Sequence, residues 1–515
     1  MIKRALISVS DKTGLVPFAK RLAAKKIEII STGGTAKALR DAGIAVTDVS
    51  VYTGSPEVMG GRVKTLHPKI FGGILARRCD KNDMSEAEKS GTSMIDLVVV
   101  NLYPFEKTVE QEGALEAEAI EQIDIGGPSL LRAAAKNFTY VTVVTSAEDY
   151  EKVADEIEKN GDTTLETRRE LAWKVFEKTS AYDYAISCWF RKILHKPELL
   201  DLHYEKVRSL RYGENPHQKA AFFRNPENHD ANVTNAKVLH GKELSFNNIV
   251  DANSALELVK EFEKPSVAFI KHNNPCGVAL AHNIEEAFDV SFKVDTKSAF
   301  GSVVALNRPV TEKIAEYIQA HKIFIEVIIA PSFEAKALEM LKTKPNLRLL
   351  ETGPLQLDAE KRDVKKVAGG ILVQTANTYV VTEKDLKVVT KKKPTPEQVR
   401  AMLFANAVCK HVMSNAVVFA KAENGTDTAV AIGAGQMSRV DSVWIAAQKG
   451  GERLKDSVMA SDAFFPFPDA LEEAAKAGAV AIISPGGSVK DAEVIAAADR
   501  LGVAMVFTGI RLFRH

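Results

Sequence analysis

Short apolar runs rich in β-branched residues alternate along the chain with stretches whose apolar positions recur every three or four residues. Residues 5–9 read as a strand and 14–25 as a helix, and 27–30, 35–41 and 44–49 repeat strand, helix, strand. The runs at 97–100 and 141–144 are continuously apolar, as in strands covered on both faces. Strands spaced by helices predict an α/β fold with a parallel, doubly wound sheet. Residues 164–194 carry Trp173, Trp189 and many charges at helical spacing, which predicts a helical bridge out of the first domain.

A second region begins near Leu202, with strands predicted at 267–270, 303–306 and 325–329. The lysine-rich stretches at 361–366 and 391–394 read as exposed connections. A long helix over 396–413 leads to strands at 416–420, 429–432, 480–483 and 503–507. The pattern predicts two α/β halves split near residue 365, without a fixed-period repeat or a low-complexity tract.

Composition narrows the function. The 515 residues correspond to roughly three folding units at about 150 per domain. Lys plus Arg is 68 against Asp plus Glu 67, a net charge of +1, which argues against a coat for nucleic acid or anionic lipid. Cys79, Cys188, Cys276 and Cys409 are scattered, so neither a disulfide framework nor a thiolate zinc site is expected. No His-Glu-x-x-His pattern occurs, and no metal is expected. No apolar run approaches a membrane span of about 18 residues, and Asp11 interrupts the N-terminal segment before a signal-type core develops. A cytoplasmic enzyme or binding protein is the expectation.

Two loops could hold phosphate. Ser10-Asp11-Lys12-Thr13-Gly14 follows the first predicted strand and Thr32-Gly33-Gly34-Thr35 the second, each opening a helix. Amides at helix N-termini attract anions, although Ser, Thr and Asp are also ordinary caps. Two such loops at one end of a parallel sheet shift the balance toward a ligand site. Gly60-Gly61-Arg62-Val63-Lys64-Thr65 lacks the glycine that a P-loop has before its lysine, which disfavours an NTPase. Asn101-Leu102-Tyr103-Pro104 ends a buried strand, and Asp124-Ile125-Gly126-Gly127-Pro128 leads into a helix ending at Lys136. Taken singly these are a solvated charge pair, a strand end and a helix cap. Together Arg62, Lys64, Tyr103, Asp124 and Lys136 suit acid–base work.

In the second region, Lys271-His272-Asn273-Asn274-Pro275-Cys276-Gly277 follows a strand and offers a histidine suited to proton transfer, or a strand-end histidine satisfied by backbone. Lys410-His411 shares the dipeptide but lacks the following Asn-Asn-Pro turn and reads as structural. Further candidates are Arg211-Tyr212-Gly213, Ser298-Ala299-Phe300-Gly301, Ser414-Asn415 and the stretch from Gly433 to Arg439. Ser461-Asp462-Ala463-Phe464-Phe465-Pro466-Phe467 reads as core or as a stacking wall.

In their joint order these motifs resemble, over essentially the whole chain, the bifunctional AICAR transformylase/IMP cyclohydrolase family of purine biosynthesis. AICAR is aminoimidazole carboxamide ribonucleotide. The resemblance implies a methylglyoxal-synthase-like cyclohydrolase domain over 1–199, including the helical bridge. It implies a transformylase over 200–515, made of two cytidine-deaminase-like subdomains without the deaminase zinc, about 200–365 and 366–515. It implies a homodimer with transformylase sites at the subunit interface, and 10-formyltetrahydrofolate as co-substrate.

For formyl transfer the resemblance assigns His272 as general base, Lys271 to steering charge and protons, and Asn415 to hydrogen-bonding the reacting groups. Arg211, Tyr212, Gly301, Glu326 and Arg511 match AICAR contacts, with Arg439 and Phe464 lining the same pocket. Val440, Asp469, Ser488 and Val489 match the folate side. For ring closure, Ser10, Lys12, Thr32, Gly33, Gly34 and Thr35 match the nucleotide loops, with Arg62, Thr65, Asn101 and Ile125 beside them. Lys136 matches the proton-transferring residue, while Tyr103, Asp124 and Lys64 orient the amide and stabilise the oxyanion. Glu326 and Ser302 depart from the family pattern, where some members carry Asp and Gly. Two rivals stand beside this reading: a non-catalytic nucleotide or folate sensor on the same folds, and a monofunctional enzyme with one decayed domain.

Overall fold

Apolar runs buried on both faces, Ala5–Ile7 with Val9 in Arg4–Val9 and Leu97–Val100 in Leu97–Asn101, give the strands that centre the first sheet. In a computed structural model that describes residues 1–111, 113, 115–356 and 362–515, the chain forms two units, Met1–Asp201 and Leu202–His515. The first holds a five-stranded sheet, β1 (Arg4–Val9), β2 (Glu28–Ser31), β3 (Thr47–Asp48), β4 (Leu97–Asn101) and β5 (Thr142–Val144), in the order β3-β2-β1-β4-β5. All its pairings are parallel. Helix α1 (Leu15–Ala24) buries Leu15, Phe18, Ala19 and Leu22 at helical spacing, and α2 (Gly33–Asp41) follows β2. Helices α3 (Gly126–Lys136) and α4 (Leu165–Ile193) complete the elements used below; α4, 29 residues long, spans the stretch expected to be helical.

One strand prediction fails in part. Residues 44–49 were expected to be extended, but β3 covers Thr47–Asp48 and the chain turns at Val49 into a helical turn, Val49–Thr53. That turn buries Val49 and Thr53 four residues apart, so packing overrides the β-branched run.

The second unit begins with the hairpin β6 (Glu205–Leu210) and β7 (Ala220–Arg224). Its centre is a 12-stranded sheet in the order β16-β21-β20-β19-β17-β18-β10-β9-β11-β12-β13-β8. One half comprises β8 (Lys237–His240), β9 (Ser266–Lys271), β10 (Asn274–Leu280), β11 (Ser302–Leu306), β12 (Ile325–Ala330) and β13 (Arg348–Glu351). After the separate hairpin β14 (Arg362–Val367) and β15 (Gly370–Thr375), the other half comprises β16 (Lys387–Val388), β17 (Val417–Glu423), β18 (Thr426–Gly433), β19 (Ser457–Ser461), β20 (Ala479–Ser484) and β21 (Ala504–Phe507). The halves join edge to edge through an antiparallel β10–β18 pair. Ala268 and Ile270 face one core and Val267 and Phe269 another, the alternation that a strand covered on both sides requires.

Each half has the same order: a helix, an antiparallel hairpin, then strands joined by helices. The leading helices are α5 (Phe246–Lys260) and α6 (Pro396–Cys409), and the hairpins are β9–β10 and β17–β18. The repeat therefore exists in topology, where no sequence period was found. Helix α6 stops at Cys409, short of the expected residue 413, and the amide of Met413 is instead bonded to Asn274 Oδ1 at 2.9 Å. Residues 362–366 were expected to be a connection and form most of β14, still exposed; Lys361 lies outside the described residues. Two more helices, α7 (Arg439–Gly450) and α8 (Asp469–Ala477), carry candidate residues.

Candidate active sites

In the first unit the chain passes from β1 into α1 and from β2 into α2 at the same end of a parallel sheet, where ligands bind in folds of this kind. A cavity of about 680 Å³ opens there, and Ser10, Lys12, Thr32, Gly33, Gly34, Thr35, Arg62, Lys64, Thr65, Asn101, Tyr103, Asp124 and Ile125 all line it. Gly33 has φ 52°, and a methyl group on it would stand 3.7 Å from Lys64 Nζ; one on Gly34 would stand 3.9 Å from Lys12 Nζ. Two ammonium groups thus converge over the amides that open α2, an arrangement suited to a phosphate.

Other side chains in the cavity hold its walls. Asn101 Oδ1 accepts the amides of Ser10 and Asp11 at 2.6 and 3.1 Å, and its Nδ2 donates to the Asp11 carbonyl at 2.8 Å. The buried Thr35 hydroxyl accepts the Val9 amide at 3.1 Å and donates to its carbonyl at 3.0 Å. These two residues therefore shape the β1 loop. Thr32 donates to Glu57 at 2.8 Å, Lys64 lies 3.9 Å from the same carboxylate, and Arg62 pairs with Glu121. Sequence reasoning missed Glu57 and Glu121, which carry no motif; they pair with Lys64 and Arg62.

Asp124 is the most constrained acid. Its Oδ1 accepts the Gly127 amide at 2.7 Å, and its own amide donates to the Tyr182 hydroxyl at 2.8 Å. Burial pushes its carboxyl above the ordinary value, against the pull of the Gly127 and Tyr103 amides. Burial, then the charges of Asp124 and Glu57, raise the Tyr103 phenol. Lys136 is not brought here. It is exposed at the far end of α3, whose first turn meets Asp124, and ten residues at about 1.5 Å each put it roughly 15 Å away.

In the second unit, strand registers put the candidates on one edge of the large sheet. Asn274 pairs with Lys271, so the β9–β10 turn marks this edge, and β11, β12 and β13 start from it. Strand β18 ends there at Gly433, β17 starts beside it, and β19, β20 and β21 finish there. Lys271, His272, Gly301, Glu326, Asn415, Phe464, Ser488, Val489 and Arg511 belong to turns or strand ends of this edge, and Arg439, Val440 and Asp469 to the first turns of the helices α7 and α8 that follow β18 and β19. Arg211 and Tyr212 stack on one another at 4.8 Å, and the Asn247 amide reaching Glu214 O at 3.5 Å ties their loop to the start of α5.

The turn itself is His272–Asn273, with φ 52° and 62°; Asn274 and Pro275, expected in the turn, already belong to β10. Lys271 Nζ donates to the Phe300 carbonyl, joining the turn to Gly301. A cavity of about 310 Å³ is lined by Ser414, Asn415, Gly435, Gln436, Met437, Phe513 and His515. Asn415 is held rigidly: its Nδ2 donates to the Gln436 and Met437 carbonyls at 2.9 and 3.1 Å, and its Oδ1 accepts Arg439 Nη2 at 2.7 Å.

Arg439 was expected to line the pocket. It is instead buried, 7% exposed, against Asp462 and Ser461, and acts by orienting Asn415. Glu326 accepts Arg348 Nη1 at 2.7 Å and Asn248 Nδ2 at 3.4 Å. The phenylalanine-rich stretch divides: Phe465 is core, whereas Phe464 and Phe467 are exposed. Val440 is partly buried against the core, Asp469 opens α8, Ser488 Oγ accepts the Lys490 amide at 3.1 Å, and Val489 and Arg511 are exposed. Lys410 and His411, read as structural, share the buried carboxylate of Glu261 at 2.8 and 3.0 Å.

Comparison with known proteins decides the family. A family model described as AICARFT/IMPCHase bienzyme matches residues 134–449, and one described as MGS-like domain matches residues 14–129. The chain belongs to the AICARFT/IMPCHase bienzyme family. It is 50% identical over 520 residues to the bifunctional purine biosynthesis protein PurH of Acetivibrio thermocellus, with 100% of both chains covered. The PurH of Halalkalibacterium halodurans is also 50% identical, over 519 residues and 100% of both chains. The bienzyme match takes in Lys271, His272, Asn415 and Arg439, and the MGS-like match takes in the first unit's loops from Thr32 to Ile125.

Proposed function

We propose that the chain is a bifunctional enzyme of purine biosynthesis that formylates AICAR from 10-formyltetrahydrofolate and then closes the ring to IMP. Full-length identity to relatives named as bifunctional favours this reading over a sensor or a half-decayed enzyme. The observation that carries the assignment of ring closure to the first unit is the convergence of Lys12 and Lys64 over Gly33-Gly34, in the same cavity as Asp124 and Tyr103. A nucleotide phosphate on the two cations puts its base toward the acid and the phenol.

In formyl transfer the AICAR amine attacks the formyl carbon, His272 takes the amine proton, and the bond to folate N10 breaks, releasing tetrahydrofolate with a proton on N10. The amine lone pair is delocalised, so fixing the reactants in attack geometry carries much of the rate. Asn415, locked by Arg439 and two carbonyls, is a prepositioned partner for the reacting groups. In ring closure the carboxamide nitrogen attacks the new formyl carbon and loses its proton, and water leaves. Asp124 is assigned that proton, because a carboxyl raised by burial is a stronger base than an exposed one. Lys64 and Tyr103 face the developing oxyanion, and Lys136 takes no part at the reacting atoms.

A homodimer accounts for the second unit's layout. Glu326 on β12 and Asn415 before β17 are five strand spacings apart, roughly 24 Å at about 4.8 Å each, too far for one small substrate to touch both in one chain. Hairpin β14–β15 exposes Ile371, Leu372 and Val373, apolar surface that a second copy can cover. Among the described residues no helix is long and apolar enough to cross a membrane, and we place the enzyme in the cytosol with its substrates. Incubating purified protein with AICAR and 10-formyltetrahydrofolate tests the whole reading: IMP is expected. Failure to convert supplied formyl-AICAR to IMP overturns the ring-closing assignment.

A further inference from the structure

The β9–β10 and β17–β18 hairpins occupy equivalent places in the two halves of the large sheet, yet their turns differ in chemistry. The second uses Asn424–Gly425, at φ 50° and 83°, the residue types that two-residue turns with positive φ favour. The first puts His272 and Asn273 into the same left-handed region, at φ 52° and 62°. Non-glycine residues held there cost of order 1 kcal/mol each and persist where surrounding contacts fix them.

Those contacts come from one face of α5. Asp251 Oδ1 accepts the Asn273 amide at 2.7 Å. Three residues on, Ser254 Oγ donates to Asn273 Oδ1, which also accepts Arg514 Nη2 at 3.2 Å. Burial raises the Asp251 carboxyl, while the Asn273 amide, the charge of His272 and the His272 amide pull the other way. Asn274 continues the clamp, its Oδ1 accepting the Met413 amide at 2.9 Å and its Nδ2 donating to the His272 carbonyl at 3.1 Å.

We propose that Asp251 is a positioning residue for formyl transfer: its carboxylate holds the left-handed His272–Asn273 turn and so aims the His272 ring at the reacting amine. The inference rests on the reading of His272 as the general base. Asp251 touches no substrate and acts through the turn. Deleting its carboxylate frees two strained residues to relax, and a displacement of about 1 Å at the base can cost on the order of a hundredfold in rate.

The test uses the full chain and four variants: Asp251→Ala, Asp251→Asn, His272→Ala and the double variant Asp251→Ala with His272→Ala. Asp251→Ala is expected to lower the kcat of formyl transfer at least tenfold, with KM for AICAR changed less than about twofold and closure of supplied formyl-AICAR unchanged. Asp251→Asn keeps an acceptor for the Asn273 amide and should recover most of the loss, which also covers the case in which the alanine variant folds poorly. On the residual rate of His272→Ala, adding Asp251→Ala should cost nothing further, because the two act as one unit. A purely structural role predicts an added loss in that background, a parallel rise in KM, or no recovery with Asn; any of these overturns the proposal. If His272→Ala itself leaves formyl transfer at the wild-type rate, the reading of His272 fails, and the positioning role fails with it.

Discussion

The hydroxyl of Tyr182, on the long helix α4, accepts the backbone amide of Asp124 at 2.8 Å and donates to the Gln122 carbonyl at 2.8 Å. One phenol therefore fixes both sides of the loop that delivers the Asp124 acid to the cavity. Its ring also packs edge-on against Phe105 at 6.3 Å, and its pKa is pushed up to about 12, chiefly by burial. The helix that sequence analysis treated as a bridge is thus also a support for the candidate site.

Tyr182→Phe keeps the ring and removes both bonds. The Asp124 amide, part-buried, is left without its partner, a penalty of about 1–3 kcal/mol. Closure of formyl-AICAR should slow about tenfold with formyl transfer intact, and the melting temperature of the protein should fall by a few degrees. Steady-state kinetics on the separate substrates with a thermal melt decides it; an unchanged closure rate removes Tyr182 from the site's support.

Asp124→Asn separates the acid's chemistry from its effect on stability. The folded carboxyl titrates above the ordinary aspartate value because burial disfavours the charge. A group raised in the folded state stabilises the fold fully below its unfolded value and loses that contribution as pH rises through the folded value. At neutral pH the wild type therefore carries a destabilising charge that Asn lacks. The variant should melt no lower than wild type at pH 7 and lose any advantage near pH 4. Its closure rate should fall by about 10²–10⁴, the size of a lost general base. A variant that closes the ring at the wild-type rate contradicts the role given to Asp124.

The sheet of the first unit and the loops after β1 and β2 were legible because a strand buried along its whole length, such as Leu97–Val100, and a helix burying one periodic face, such as Leu15–Ala24, each carry their signal locally. What escaped depends on contacts between distant segments. Tyr182, Glu57 and Asp251 meet their partners 58, 25 and 22 residues away, and nothing in the local sequence announces those meetings. The strand β10 was hidden because Asn274-Pro275 reads as a turn, whereas its residues are held by pairing with Lys271 and Ile270. The topological repeat escaped for a related reason: the two halves share alternating burial rather than residues.

Gly127 shows how closely that loop is packed. A methyl group there would collide with the Asp124 carboxylate and approach Leu102 Cδ2 at 3.0 Å. Gly127→Ala should therefore displace the acid while leaving its charge in place. Closure is expected to fall at least tenfold, with KM for formyl-AICAR nearly unchanged, since Lys12 and Lys64 lie apart from the collision. A rise in KM with unchanged kcat is the result that contradicts this account.

Lys136 is where family resemblance and geometry part. The resemblance assigns it a proton transfer in ring closure, yet it sits at the opposite end of α3 from Gly126, exposed, beside Asn137, whose Nδ2 donates to the Ile74 and Ala76 carbonyls at 2.7 and 3.1 Å. A lysine side chain spans about half of the roughly 15 Å that separates those ends. Lys136→Met keeps the aliphatic stem and removes the charge. Ring closure should then stay within about twofold of wild type with an unaltered pH profile, and any loss should track the melting temperature, because a cation in the last turn stabilises a helix by about 0.3–1 kcal/mol. A folded variant with normal melting that accumulates formyl-AICAR would return the proton transfer to Lys136, and would require α3 to present its C-terminal end to the substrate during turnover.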